Sequence, residues 1–186
     1  MVTRGKWGAV KDRDPIRAKK LYARRNEFEV DVNWTHLREE YIAAIKLYLA
    51  SEPNTNVLKS KGDAFIAECQ TWGISPIFAL AVAIHETGHG QSRFLKEYNN
   101  AFGIQPKGED GAPAPYPTIN DSIKAFCKMI KLSYVNCGQR TLVDIADHPQ
   151  KPEGHSYCGD FHDSVSRLDW IEGIKALMDK IWTSLK

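Results

Sequence analysis

Residues Ile77-Phe-Ala-Leu-Ala-Val-Ala-Ile84 carry no polar side chain, and this run limits the chain more than any other stretch. Ser75-Pro76 precedes it, a serine able to cap a helix and a proline suited to the first helical turn. His85-Glu86-Thr87-Gly88-His89-Gly90 follows it. The spacing predicts a helix that is apolar on every side. Such a helix must be enclosed by neighbours, so the domain has to be built around it. Eight residues are too few to cross a bilayer.

The rest of the chain supplies the enclosure. Leu37, Tyr41, Ile45 and Tyr48/Leu49 recur at helical spacing, with Thr35 as a candidate cap and Ser51-Glu-Pro-Asn as a stop. A second helix is expected over about 61–72, with Phe65, Ile66 and Cys69 inward and Gly73 at its end. Asn120 or Asp121 is expected to open another, using Ile123, Phe126, Cys127, Ile130 and Tyr134. A short helix near Leu142 to Ala146 and a last one from Asp169 or Trp170 to Trp182 complete the set, with Trp170 and Trp182 read as core. Residues 98–118 are rich in turn formers and predict a short loop or a small β lobe. The result is a mainly α single domain over 34–186. Residues 1–33 read as an irregular basic arm, with one short helix near Pro15 to Arg25.

Charge excludes little. The formal net charge is +2, too small to argue for nucleic acid. It is uneven, since residues 1–30 hold nine Lys/Arg and four Asp/Glu. That arm reads first as a solvated leader, and second as a contact for a larger phage or cell-envelope assembly. No apolar stretch predicts stable membrane insertion, and no ordinary secretory signal is visible behind the first basic residues. Cys69, Cys127, Cys137 and Cys158 form no C-x-x-C pair and are expected as free thiols.

His85 to Gly90 has two incompatible readings. H-E-x-x-H places two histidines four residues apart, the zinc hydrolase arrangement, with Glu86 as base. That reading needs a third ligand. Ser92 and Leu95 stand where the extended motif needs glycine and histidine, and nothing in the spacing brings Glu97, Asp121 or His148 to the pair. Gly88 and Gly90 also predict that the helix ends at the motif rather than running through it. No metal is therefore expected. In the second reading Glu86 is a general acid for glycoside cleavage. Such an acid needs an environment that keeps it protonated, which burial against apolar side chains provides. The bland reading of Glu86 is a cap or ion-pair partner at a helix end.

Four ordered elements carry a resemblance. Ala81-Val-Ala83-Ile-His-Glu86-Thr87-Gly88-His-Gly90-Gln-Ser92 comes first, then Asn99-Asn100-Ala-Phe102-Gly103-Ile104. Tyr116-Pro-Thr-Ile-Asn-Asp121-Ser122-Ile123 follows, and Ser156-Tyr157-Cys-Gly-Asp160 closes the series. Over about 65–182 the chain resembles the bacterial cell-wall N-acetylglucosaminidases of glycoside hydrolase family 73, which have the lysozyme-like fold. The resemblance implies that Glu86 is the general acid, with Tyr116 and Tyr157 beside the cleaved bond. Asn100, Phe102, Gly103, Gln105 and Asp160 would shape or line the glycan groove. It implies peptidoglycan strands as partner, the cell wall or another extracellular site of action, and no cofactor. Phe102, Tyr116 and Tyr157 could equally be packing residues, and Asp160 a loop cap.

The second carboxylate departs from the pattern. The stretch that should carry it is short and offers Glu109 and Asp110, with Asp121 less well placed. Glu109 is the expected partner of Glu86. Failing a base, the substrate's acetamido group could assist, or an anhydro-sugar could leave. Lytic transglycosylases share the fold, and Gly103-Ile104-Gln105 goes partway to their G-L-M-Q motif. The fold would also suit a muramidase. A non-catalytic glycan-binding or structural part of a phage tail or secretion machine is the reading from outside the enzymes.

Overall fold

The computed structural model describes residues 29–32, 34–104, 115–146, 157 and 164–185. The expected helix near Pro15 to Arg25 lies outside them.

Helix α1 spans Trp34–Ser51. Tyr41, Ala44, Ile45, Tyr48 and Leu49 bury one stripe of it, and Pro53 bars its continuation. It begins at Trp34, one residue ahead of the cap expected at Thr35. A 3-10 turn over Val57–Lys61 leads into α2, Gly62–Trp72. Gly73 closes α2 in the left-handed conformation with φ 65°.

Helix α3, Pro76–Thr87, is the predicted central element. Ser75 Oγ accepts the Phe78 amide at 3.3 Å, and Pro76 occupies the first turn. Every residue from Pro76 to Ile84 is buried, as the apolar run requires. Burying a side chain such as Phe78, Leu80 or Ile84 contributes roughly 1.5–3 kcal/mol. Helix α4 covers Arg93–Tyr98, and α5 covers Ile119–Met129. Thr118, ahead of the residues expected to open α5, makes a capping box with Asp121. A π turn over Ile130–Tyr134 and a 3-10 turn over Val135–Cys137 extend α5 and bury Tyr134. Helix α6 is Leu142–Ala146, and α7 is Ser164–Thr183, longer at its start than expected. Helices α1, α2, α5 and α7 all pack on α3, α7 the most extensively.

The lobe expected near 98–118 is corrected. Among the described residues there is no strand, only the isolated bridges Glu29–Thr141 and Asp31–Ile74. Where the two flanks of that stretch meet, one backbone bond joins them, from the Tyr116 amide to the Tyr98 carbonyl at 2.8 Å. The Asn99 side chain then bonds the carbonyls of Tyr116 and Pro117 at 2.9 and 3.2 Å. Pro115 and Pro117 have no N–H to give to a ladder, so side-chain bonds take its place. The domain is mainly α.

Residues 29–32, the end of the expected arm, are stitched into the body. The Val30 amide bonds the Arg140 carbonyl at 2.8 Å, and the Ser75 amide bonds the Val30 carbonyl at 2.8 Å. Val30 is fully buried, and Lys131 pairs with Asp31 at 2.8 Å. Cys69 and Cys127 are buried thiols 3.5 Å apart between α2 and α5, and Cys137 likewise forms no disulfide. Cys158 lies outside the described residues. Trp182 is partly exposed at the edge of Tyr41 rather than in the core. Among the described residues, no helix is long and apolar enough to cross a membrane.

Candidate active site

Helix α3 ends where the glycines predict. Gly88 caps it at φ 53°, and His89 and Gly90 follow at φ 58° and 73°. Three consecutive left-handed residues turn the chain sharply out of the helix. His89 therefore lies off the helix, and the histidine pair of the zinc reading has no common helix face. His85 packs toward α7, where a β-carbon on Gly173 would come within 2.9 Å of its ring, and its imidazole meets Trp170 edge-on at 6.4 Å. His89 turns toward the end of α1, with Nδ1 3.2 Å from Glu52 Oε2. The two imidazoles serve different neighbours, a geometry that does not suit a shared metal ion.

Glu86 is exposed on the last turn of α3. The cover expected from the apolar run stops at Ile84. Oε1 of Glu86 accepts a hydrogen bond from the Trp170 indole N–H at 2.9 Å. Thr87, fully enclosed beside it, ties the helix end to the turn. Its hydroxyl donates to the Ala83 carbonyl at 2.6 Å and accepts the Gly90 amide at 2.9 Å. Its carbonyl accepts the amides of Gln91 and Ser92 at 2.9 and 2.8 Å.

Aromatic rings continue from Trp170. Tyr157 lies against it with centroids 5.3 Å apart and planes 36° from parallel. Tyr157 in turn meets Phe126 and Tyr134, and its hydroxyl lies 3.4 Å from the Phe102 carbonyl. Glu86, Trp170, Tyr157 and the Phe102 main chain thus form one continuous line.

Asn100 and Phe102 hold the next loop from within. Asn100 is 1% exposed; its Oδ1 accepts the amides of Phe102 and Ile104 at 3.2 Å each, and its Nδ2 donates to the Ile104 carbonyl at 2.9 Å. Phe102 is 3% exposed and stacks on Phe126 with centroids 3.9 Å apart. Its ring is a buried support rather than an exposed surface. Gly103 is exposed at φ 63°. Tyr116 is half-buried beside Tyr98, and burial pushes its hydroxyl pKa up. Gln105, Glu109, Asp110, His148 and Asp160 lie outside the described residues.

Trp170 is the site residue that sequence reasoning assigned to the core. A faint signal existed. Trp170 flanks the stripe of Leu168, Ile171, Ile174, Met178 and Ile181, and an indole there needs a partner for its N–H.

Comparison with known proteins gives a family and a fold. A family model described as Glucosaminidase, mannosyl-glycoprotein endo-beta-N-acetylglucosaminidase, matches residues 62–181. The bifunctional autolysin of Staphylococcus aureus strain MSSA476 is 30% identical over 152 residues, covering 67% of this chain and 12% of that relative. The chain therefore spans about an eighth of the length of the relatives it matches. A catalytic mutant of S. aureus Autolysin E in complex with the disaccharide NAG-NAM superposes with TM-score 0.60 at 20% identity, covering 85% of this chain and 72% of that one. The crystal structure of Major Bifunctional Autolysin gives TM-score 0.58 at 26% identity, covering 88% and 73%.

Proposed function

The chain belongs to the glucosaminidase family, within the lysozyme-like superfamily, and from that membership we propose that it hydrolyses β-1,4 glycosidic bonds of bacterial peptidoglycan as an N-acetylglucosaminidase. The observation that carries this reading is the carboxyl of Glu86, exposed at the end of an enclosed helix and oriented by Trp170. A rigid mount of this kind suits a proton donor. The complex of Autolysin E with a NAG-NAM disaccharide supports a glycan of that type as substrate. The site of action that follows is the cell wall.

The chemistry follows from the roles. Glu86 gives its proton to the leaving glycosidic oxygen as the bond from the anomeric carbon breaks. Water adds to that carbon from the far side and loses its proton to a second carboxylate. Glu109 is the residue we propose for that base. Tyr116 and Tyr157 would sit beside the cleaved bond, where aromatic faces suit sugar rings. Asn100, Phe102, Gly103, Gln105 and Asp160 would shape the groove. A bound sugar would cover Glu86 and exclude water from it. The basic N-terminal arm, residues 1–33, is read as a contact for a surrounding phage or cell-envelope assembly.

Mass spectrometry of digested peptidoglycan tests the reading. New reducing N-acetylglucosamine ends are expected, and Glu86→Gln should lower the rate by roughly 10²–10⁴-fold. Reducing N-acetylmuramic acid or anhydromuramyl ends would replace the assignment with a muramidase or a transglycosylase. Unchanged product release by Glu86→Gln would remove Glu86 from the chemistry.

A further inference from the structure

Just beyond Glu86 the chain is held at three points to one short segment, residues 52–57, which joins α1 to the Val57–Lys61 turn. The first is the pair His89–Glu52, with Nδ1 3.2 Å from Oε2. The second is a backbone-to-side-chain contact: a β-carbon on Gly90 would fall on Asn56 Oδ1 and reach within 3.1 Å of the Val57 amide nitrogen. The third is the Gln91 side-chain amide, which donates to the Thr55 carbonyl at 2.8 Å. Asn56 links the first two, since its Nδ2 donates to Glu52 Oε2 at 2.9 Å.

Glu52 is an unusual residue to find here. It is 6% exposed, and buried carboxylates are rare unless they are bonded. Burial alone would raise its pKa. The bonds from Asn56 and His89 outweigh that and hold it below the ordinary value. The Tyr48 hydroxyl adds to this, close to the carboxylate though outside good hydrogen-bond geometry. An ionised carboxylate only accepts, so His89 Nδ1 carries the hydrogen. His89 also holds a left-handed backbone at φ 58°, which a non-glycine residue keeps only where its surroundings fix it.

We propose that Glu52 and His89 form a positioning clamp: the buried carboxylate fixes the left-handed turn after Glu86 and so sets the angle at which the Glu86 carboxyl leaves the helix. Neither residue is a catalytic residue in this assignment. His89 shares its carboxylate partner with Asn56, and the chain between His89 and Glu86 is only two residues long, so a slack turn moves the acid directly. The proposal rests on Glu86 as the acid of the reaction described above.

Steady-state kinetics on soluble glycan fragments tests it with the full chain. Glu52→Gln and His89→Ala should each lower kcat about tenfold with KM within about twofold of wild type, because misplacement of a catalytic group acts on the reacting geometry. The double variant should be no slower than the slower single variant, because both remove one interaction. His89→Asn, which tolerates a left-handed backbone and keeps an N–H, should recover most of the loss. If Glu52→Gln does not fold, His89→Ala against His89→Asn at this half-exposed site carries the test. Wild-type kcat in His89→Ala, a loss confined to KM, or additive losses would each overturn the clamp. Glu86→Gln in the same assay separates the two ideas. Full activity there removes the acid assignment, whereas loss there beside wild-type clamp variants removes the clamp alone.

Discussion

The indole N–H of Trp170 donates to Glu86 Oε1 across 2.9 Å, joining residues 84 positions apart in sequence. An indole nitrogen is a donor only, so the contact orients the carboxyl and offers it no base. The same ring lies against Tyr157, so one side chain fixes the acid and the aromatic surface beside it.

Trp170→Phe keeps the ring against Tyr157 and removes the N–H. The carboxyl gains charge as it gives its proton to the leaving oxygen, and a hydrogen bond to a charged group contributes about 1.5–3 kcal/mol, so kcat should fall by roughly tenfold or more. Thermal stability should stay near wild type, because Trp170 is only partly buried. Kinetics with a melting curve on the same sample checks both.

Gly88 and Gly90 should differ sharply although both are left-handed. A β-carbon at Gly88 meets nothing within 4 Å, so Gly88→Ala should cost only the backbone term, about 1–2 kcal/mol. At Gly90 the β-carbon would strike Asn56 and crowd the Val57 amide nitrogen at 3.1 Å. Gly90→Ala should add an overpacking cost of about 1–3 kcal/mol to the same term. Urea unfolding of the two variants gives the comparison.

Thr87→Val removes a hydroxyl that makes two bonds in a buried site. The Gly90 amide and the Ala83 carbonyl both lose a partner, and the change should destabilise by about 1–3 kcal/mol. Thr87→Ser keeps the hydroxyl and should lose less. Denaturant midpoints of the three proteins decide it.

Glu52 predicts an acid-side loss of stability. Its folded pKa lies below the ordinary value of 4.5. The stabilisation is complete above that ordinary value and is lost as pH falls through the folded one. Melting temperature should therefore drop on acidification below about pH 4.5, and Glu52→Gln should flatten that part of the profile. Burial pushes the Tyr48 hydroxyl pKa up, so Tyr48 stays neutral throughout this range.

Local chemistry was legible in the chain, and long-range pairing was not. Ser75-Pro76 and Gly88 mark the ends of α3 because caps and left-handed stops act within a few residues. Glu86 could be singled out because it follows directly from that helix. Trp170 could not, since its partner is set by how α7 packs on α3. Glu52 and His89 are 37 positions apart, and nothing in their spacing links a glutamate at the end of one helix to a histidine after another. The small lobe failed for a related reason. Turn-rich composition fits paired strands and a side-chain-pinned junction equally well, and in the described flanks Asn99 bonded to the Tyr116 and Pro117 carbonyls makes the junction.

The all-round burial of residues 76–84 has a further consequence, for rotation rather than for stability. A helix with one solvated face can turn slightly about its axis, or accept an inserted residue by re-choosing that face. Helix α3 has no free face to surrender. Its azimuth is fixed by neighbours on every side, and the point where Glu86 leaves the core is fixed with it, which leaves only the last turn to set the carboxyl's final angle. One residue inserted between Ile77 and Ile84 would turn the carboxyl about 100° away from Trp170 or force the whole core to re-register. The body of the domain thus acts as the protractor of its active site, and tolerance to insertion should vanish within this helix.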